Sequence, residues 1–337
     1  NIHIRANFWF YKTKNVGIGN TNSEFGGPLS SAINLDPTTP IIETDPVLAN
    51  SAPYSTNPVV RDANGNPYGI STLVGQEMTN PLAYTQTRLG GYGWSDDLVG
   101  NAYLEAAITK HFKFRTIFGG KLAYWGSQGF TPVFYLSATS SNLKNNYSQS
   151  ENSSFDWNVE NIATYTNSFG DHNLTVLVGQ GAYVSNIGGG SGSIIYDLPI
   201  SSYQDASFNF DIPQENRDSW TYDAVEHKLT SLFSRVNYDF KEKYLVTGII
   251  RRDGSSRFGA NHKYGVFPSF NLGWVVSKEE FWKENDVINT LKIRGGYGVV
   301  GNDAFPGNPD FKYLSLVNGG YNYSFGNTGS IKTGYAN

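Results

Sequence analysis

The sequence predicts an all-β protein, a transmembrane antiparallel β-barrel present as an incomplete wall of about nine strands, and three observations predict it. Apolar and polar side chains alternate with period two through segment after segment, as in strands whose two faces meet different surroundings. Short turns alternate with long polar loops, so if every strand reverses direction the long loops all emerge at one end, which is the plan of an outer-membrane barrel. The 337 residues include 7 Trp, 22 Tyr, 21 Phe and 37 Gly but only 16% charged residues. The usual charged share is about 25%, and aromatic residues favour strands.

Taken in order, Ile2, Ile4, Ala6, Phe8 and Phe10 fall on one face of a first strand, with His3, Arg5, Asn7 and Tyr11 on the other. Residues 99–109 place Ala102, Leu104, Ala106 and Ile108 together, turn at Lys110-His111, and return through Phe112, Phe114, Phe118 and Leu122 opposed by Lys113, Arg115 and Lys121. A second hairpin joins 155–166 to 173–184 across Asn167 to Asp171, and a third joins 229–240 to 244–252 across Lys241-Glu242-Lys243. Strands over 265–276 and 290–299 complete nine. Between the latter two, Ser277-Lys278-Glu279-Glu280 reads as a capping box and predicts a short helix within 277–289.

The expected barrel segment is 1–302, with long outer loops at 15–98, 126–154, 185–228 and 253–264, and an extracellular loop over 303–337. No apolar run approaches the roughly 18 to 20 residues of a spanning helix. The first residues alternate at once, without the basic and apolar regions of a signal peptide, so the chain reads as mature or a fragment. Nine strands are an odd number, and single-chain bacterial barrels have even ones. The reading is therefore a wall with residues missing on both sides.

Catalytic signals are weak. The formal net charge is −4, which offers no basic footprint for nucleic acid. There is no Cys, and His3, His111, His172, His227 and His262 have no metal-ligand spacing, so neither zinc nor any cofactor is expected. Gly296-x-Gly298-x-x-Gly301 ends a strand and is followed by residues that cannot open a helix, unlike a dinucleotide fingerprint. Asp62-Ala63-Asn64-Gly65-Asn66 reads as an Asn-Gly turn tip, since no Glu closes a calcium loop at the twelfth position. Gly188 to Gly192 reads as a flexible loop tip.

Candidate ligand-binding residues are Arg251, Arg252, Asp253 and Arg257, a charged cluster placed at the barrel mouth, where the arginines could hold an anionic or polyhydroxyl ligand or pair with carboxylates such as Asp239. In the long loops Tyr92, Trp94, Tyr124 and Trp125 are candidates for stacking on sugar faces. Lys113, Arg115, Lys121, Arg235, Asp239, Lys292 and Arg294 are expected to face the lumen. Aromatic residues at strand ends, among them Trp9, Tyr11, Phe155, Trp157, Tyr238, Phe240, Tyr244 and Trp274, fit an interfacial girdle against outer-membrane lipid.

The stretches Leu232 to Leu245, Arg251 to Gly259, Gly265 to Phe270, Gly273-Trp274 and Leu291 to Asn302, with Gly100 to Glu105 and His172 to Gly179, resemble the SusC/RagA family of TonB-linked outer-membrane transporters. The order is collinear over about 100–302. The resemblance implies a 22-stranded barrel closed by an N-terminal plug, import of an oligomeric glycan or peptide, no enzymatic chemistry, and work with a SusD-like surface lipoprotein and the TonB complex. No plug or TonB box is legible in these residues. Two other readings stand beside it: an accessory barrel in a larger outer-membrane assembly such as a secretion machine, and a soluble β-sandwich binding carbohydrate.

Overall fold

The computed structural model describes residues 1–18, 27–74, 78–283, 287–303, 313–314, 318–324 and 331–336. Nine long strands lie side by side in one open sheet: β1 (Ile2–Asn15), β2 (Tyr92–Ala107), β3 (Phe112–Thr131), β6 (Asn146–Phe169), β7 (His172–Tyr196), β9 (His227–Phe240), β10 (Tyr244–Ser255), β11 (Tyr264–Val275) and β12 (Lys292–Gly298). All neighbours are antiparallel. A tenth, β8 (Arg217–Asp223), pairs with the outer half of β7 while β9 pairs with its inner half. β8 and β9 together thus make one interrupted strand. Among the described residues no second sheet packs face to face against this wall, so the sandwich reading falls and the incomplete barrel stands.

Register divides the sheet into two faces. One row runs Phe10, Leu98, Leu122, Phe155; another runs Ala6, Ala102, Phe118, Val159, Ala182. A third, nearer the short turns, runs Phe112, Tyr165, Val176, Val236, Gly248, Phe270, Tyr297. Cross-strand partners point to the same side, so these rows make a continuous apolar face. Its side chains are open to the surroundings: Ile4 is 74% exposed, Phe118 52%, Ile250 55% and Leu272 54%. A water-soluble domain rarely leaves so large an apolar patch uncovered. Rings gather at its short-turn edge, where His172 lies 4.8 Å from Phe240 and 5.4 Å from Phe169, and Phe240 lies 6.4 Å from Tyr244.

The strands run further than the sequence pattern predicts. Tyr92–Leu98, Gly126–Thr131, Asn146–Ser154 and Ser185–Tyr196, expected as loops, are paired strand. The Gly188–Gly192 run is β7 rather than a loop tip. Among the described residues of 277–289, where a helix is expected, the helical structure is a single 3-10 turn over Val276–Lys278. Glu279, inside the expected helix, accepts hydrogen bonds from the Tyr244 hydroxyl (2.6 Å), Trp274 Nε1 (2.9 Å) and Lys243 Nζ (3.3 Å) instead. These donors, Tyr244 first and then Trp274, hold its carboxyl below the usual range.

The long-loop end carries its own packing. The described residues of 27–91 include three short helices, α1 (Pro28–Asn34), α2 (Pro46–Ala49) and α3 (Pro81–Gln86). Ala83 packs with Phe134 and Leu136 of β4 (Phe134–Ser137), which pairs with β5 (Ser140–Asn142). Asp45 and Asn80 cap α2 and α3 through their side-chain oxygens. Asp62 accepts from the amides of Asn64 and Asn66 at 2.9 and 2.8 Å, a closed turn as expected. Phe130, Tyr147, Ile195, Leu198 and Ile212 form a second core, with Phe208 and Phe210 packed on it. Buried Asn145 donates to the carbonyls of Leu198 and Ile200 and accepts from the Leu198 amide, which pins the 197–212 segment to the sheet. Within the expected extracellular loop 303–337, β13 (Asn318–Ser324) and β14 (Ile331–Ala336) form a separate antiparallel pair.

Candidate functional site: the polar face and its outer rim

On the face opposite the apolar one, the same register gathers the predicted charges. Lys113, Arg115 and Lys121 share this side with Asp97 and Glu105 of β2 and with Glu160 and Asn158 of β6. Arg235 and Asp239 continue it on β9, and Lys292 and Arg294 on β12. The three cations of β3 are paired within the wall. Glu105 takes Arg115 as a close hydrogen-bonded partner and Lys113 at 3.9 Å, and Lys121 meets Asp97 at 3.4 Å. Asp239 accepts from Asn173 Nδ2 at 3.0 Å instead of from an arginine.

The arginine cluster divides. Arg251 lies on the polar face, donates to both oxygens of Asp253 at 2.7 Å and to Ser231 at 2.8 Å, and sits 5.5 Å from the Phe233 ring centre. Arg252, one residue on, falls on the opposite face with Leu232 and Val266, its guanidinium 4.1 Å over the Tyr264 ring. Strand alternation thus sets Arg252 on the face opposite Arg251 and Asp253. Arg257 turns to Asp303, donating to its carbonyl at 3.2 Å and standing 3.8 Å from its carboxylate. A cavity of about 410 Å³ lies between Arg251, Asp253, Tyr264, Phe267 and Asp303.

Asp303 organises a group that the sequence reading missed. Its Oδ2 accepts from Ser255 Oγ at 2.8 Å and from His227 Nε2 at 2.9 Å, and His227 and Ser255 are both buried. Burial alone would raise the Asp303 carboxyl, but Ser255, His227 and Arg257 outweigh it and hold the group below the usual range. Ser, His and Asp here do not form a nucleophilic triad. Such a triad needs hydroxyl and carboxylate on opposite ring nitrogens, whereas one nitrogen, Nε2, faces both. The group instead ties the start of β9, the end of β10 and the segment after β12 together. No motif pointed to it, because His227 and Asp303 are 76 residues apart.

The four aromatic candidates also separate. All lie on strands, not loops: Tyr92 and Trp94 on β2, Tyr124 and Trp125 on β3. Trp125 pairs with Ser95 and Asn152 on the polar side. Tyr92, Trp94 and Tyr124 have the opposite parity, and Lys14 Nζ lies 4.1 Å from the Tyr92 ring centre. Trp125 alone of the four lies on the face that carries the charges.

No family model matches the chain. Among curated proteins, TonB-dependent receptor P39 of Formosa agariphila is 32% identical over 249 residues, 73% of this chain and 23% of its own length. TonB-dependent receptor SusC of Bacteroides thetaiotaomicron is 29% identical over 330 residues, 92% of this chain and 30% of its own length. The chain therefore spans between about a quarter and a third of the length of these relatives. Among solved structures, the RagAB peptide importer in its closed-closed state matches with a TM-score of 0.64 at 20% identity, over 82% of this chain and 29% of that one. Its open-open state matches with a TM-score of 0.61 over the same shares. At that identity the likeness speaks for the fold, and it agrees with the open sheet. With motifs, wall architecture and relatives in agreement, the chain belongs to the TonB-dependent receptors and is similar to SusC among them.

Proposed function

We propose that this wall serves the TonB-dependent import of an oligomeric nutrient, a glycan or a peptide, across the outer membrane of a Gram-negative bacterium, together with a SusD-like surface lipoprotein. One observation carries the reading: a single sheet whose register keeps apolar side chains on one face and paired charges and amides on the other. The apolar face meets lipid, and the ring of aromatics at its short-turn edge sits at headgroup depth. The polar face lines the passage. Lys113, Arg115 and Lys121 are paired in place with Glu105 and Asp97, and between the charges the wall presents amides, hydroxyls and rings to a passing solute. The family relatives named as TonB-dependent receptors and a RagAB peptide importer support import over bond chemistry.

The test is deletion of the gene in the bacterium that encodes it, followed by growth on separate neutral oligosaccharide and peptide panels as sole carbon source. Loss of growth on one panel, reproduced by removing TonB, is the expected result. Unchanged growth on every panel, with unrelated large subunits co-purifying, would overturn it in favour of an accessory barrel.

A further inference from the structure

At the long-loop end β3, β6, β7 and β8 continue the wall as a four-stranded extension, and its two sides differ. The side continuous with the apolar face holds Phe130, Tyr147 and Ile195 and is covered by the chain's own 197–212 segment. The other side, continuous with the polar face, carries Trp125, Asn152, Gly190 and Tyr222 in one register row and Ser127, Ser150, Gly192 and Trp220 in the next. Three large rings stand open there, Trp125 at 38%, Trp220 at 46% and Tyr222 at 48% exposure.

The glycines explain how these rings lie. A Cβ on Gly192 would fall 2.2 Å from the Trp220 indole, and one on Gly190 would fall 2.0 Å from Asn152 Oδ1 and 2.8 Å from the Tyr222 ring. The indole and phenol therefore rest on bare backbone, flush with the sheet. Tyr222 donates its hydroxyl to Asn152 Oδ1 at 2.9 Å, Asn152 Nδ2 donates to the Trp125 carbonyl at 3.4 Å, and the Ser127 and Ser150 hydroxyls meet at 2.8 Å. The Tyr222, Asn152, Ser127 and Ser150 side chains are thus held in place without a ligand, and a bound molecule loses less in ordering them.

We propose that this platform binds a neutral oligosaccharide, with Trp125, Trp220 and Tyr222 stacking on successive sugar faces. Flat exposed rings match the C–H faces of pyranose units, while the flanking amide and hydroxyls match their edges. Trp220 and Tyr222, two residues apart on one strand, set their rings about 7 Å apart along it, and Trp125 lies three strand spacings, about 14 Å, across the sheet. That reach suits a short oligomer rather than a single ring. The nearby charges favour a neutral chain over an anionic one: Lys121 is engaged by Asp97 at 3.4 Å, and exposed Asp218 shares this face two residues from Trp220. The rings form planes, not the deep side-chain pockets by which extended peptides are read.

The inference rests on the import reading and narrows its cargo. The detergent-solubilised full-length transporter, with its lipoprotein, is titrated with maltoheptaose, cellohexaose, xylohexaose and mannohexaose, with oligogalacturonate and with a heptapeptide mixture, and the strain is grown on each. The expected result is binding of at least one neutral oligosaccharide that supports gene-dependent growth. Its Kd should rise at least tenfold in Trp220→Ala/Tyr222→Ala and stay within threefold in Trp220→Phe, which controls for folding. Binding confined to peptide or oligogalacturonate, neutral-sugar binding indifferent to the alanine pair, or no binding of any probe would each overturn the platform. In all three cases the import reading survives if deletion still abolishes growth on an oligomer, and falls with it if deletion changes nothing.

Discussion

Two carboxylates at the outer rim show how single residues hold loops in place. Asp36 accepts the hydroxyls of Ser71 at 2.5 Å, Thr38 at 2.5 Å and Thr39 at 2.7 Å, and these bonds, Ser71 first, hold it well below the usual carboxylate range. A depressed folded pKa means stabilisation that is present above the unfolded value, near 4, and lost as pH falls through the folded one. Protease cleavage within 36–74 should therefore stay constant from pH 8 to about 5 and rise only in stronger acid, as limited proteolysis with an acid-tolerant protease would read. Asp36→Asn should make cleavage high and flat with pH. Asp303 acts in the same way across a longer span. Replacing it with Ala leaves buried His227 and Ser255 without their shared acceptor, which costs about 1–3 kcal/mol. Thermal unfolding of the full protein should register that loss, and an unchanged midpoint would show that the 301–303 segment is not tied to the wall.

At the level of strands, the alternation of two faces makes a sharp contrast between adjacent positions of β3. Phe118 lies in the apolar row with Ala102 and Val159, while Ile117 lies opposite Tyr103 and Glu160. Phe118→Arg should destabilise by about 2–4 kcal/mol, as a cation on the lipid face does at mid-depth. Ile117→Arg, set beside Glu160, should change stability by less than about 1 kcal/mol. The fraction of folded, heat-modifiable protein in urea separates the two, and equal losses would sink the assignment of faces. The same alternation made nine strands legible in the sequence, because each crosses a region where one side must be apolar. It failed where neither face carries a regular apolar row. Asn146–Ser154 and Ile187–Ser193 are Ser-, Asn- and Gly-rich and read as loops, yet they pair residue by residue. There the ladder is held by cross-strand fit, with Trp220 and Tyr222 filling the space above the glycines, and no periodicity records it. The segment after Ser277 differs from its local pattern for a related reason: Glu279 is tied to three side-chain donors from β10, β11 and the Lys243 turn, a tertiary arrangement that local propensity does not contain.

For the molecule as a whole, the open sheet sets the last expectation. With nine alternating strands, β1 and β12 run in the same direction at opposite edges, and an antiparallel ladder cannot close between them. Each edge therefore offers a row of unpaired amides and carbonyls, on strands whose apolar side chains are also bare, such as Phe8 at 69% and Tyr297 at 65% exposure. Within hydrocarbon an unpaired edge is not tolerated, and in water it is a template for association. The relatives are more than three times as long as the stretch they share with this chain, which leaves ample sequence to supply edge partners. A polypeptide of these 337 residues alone, refolded in detergent, should thus self-associate through β1 and β12. Light scattering coupled to size exclusion should give masses at multiples of 37.2 kDa, whereas the full-length protein runs as a discrete species. Asn1 and Ala107 form a doubly hydrogen-bonded pair, so the odd residues of β1 face β2 and the even ones face the open edge. Proline at Ile4 and Ala6 should reduce the association by removing the donors that an incoming strand needs. A monodisperse 37.2 kDa particle would mean that this sheet closes on itself in solution, contrary to its strand parity.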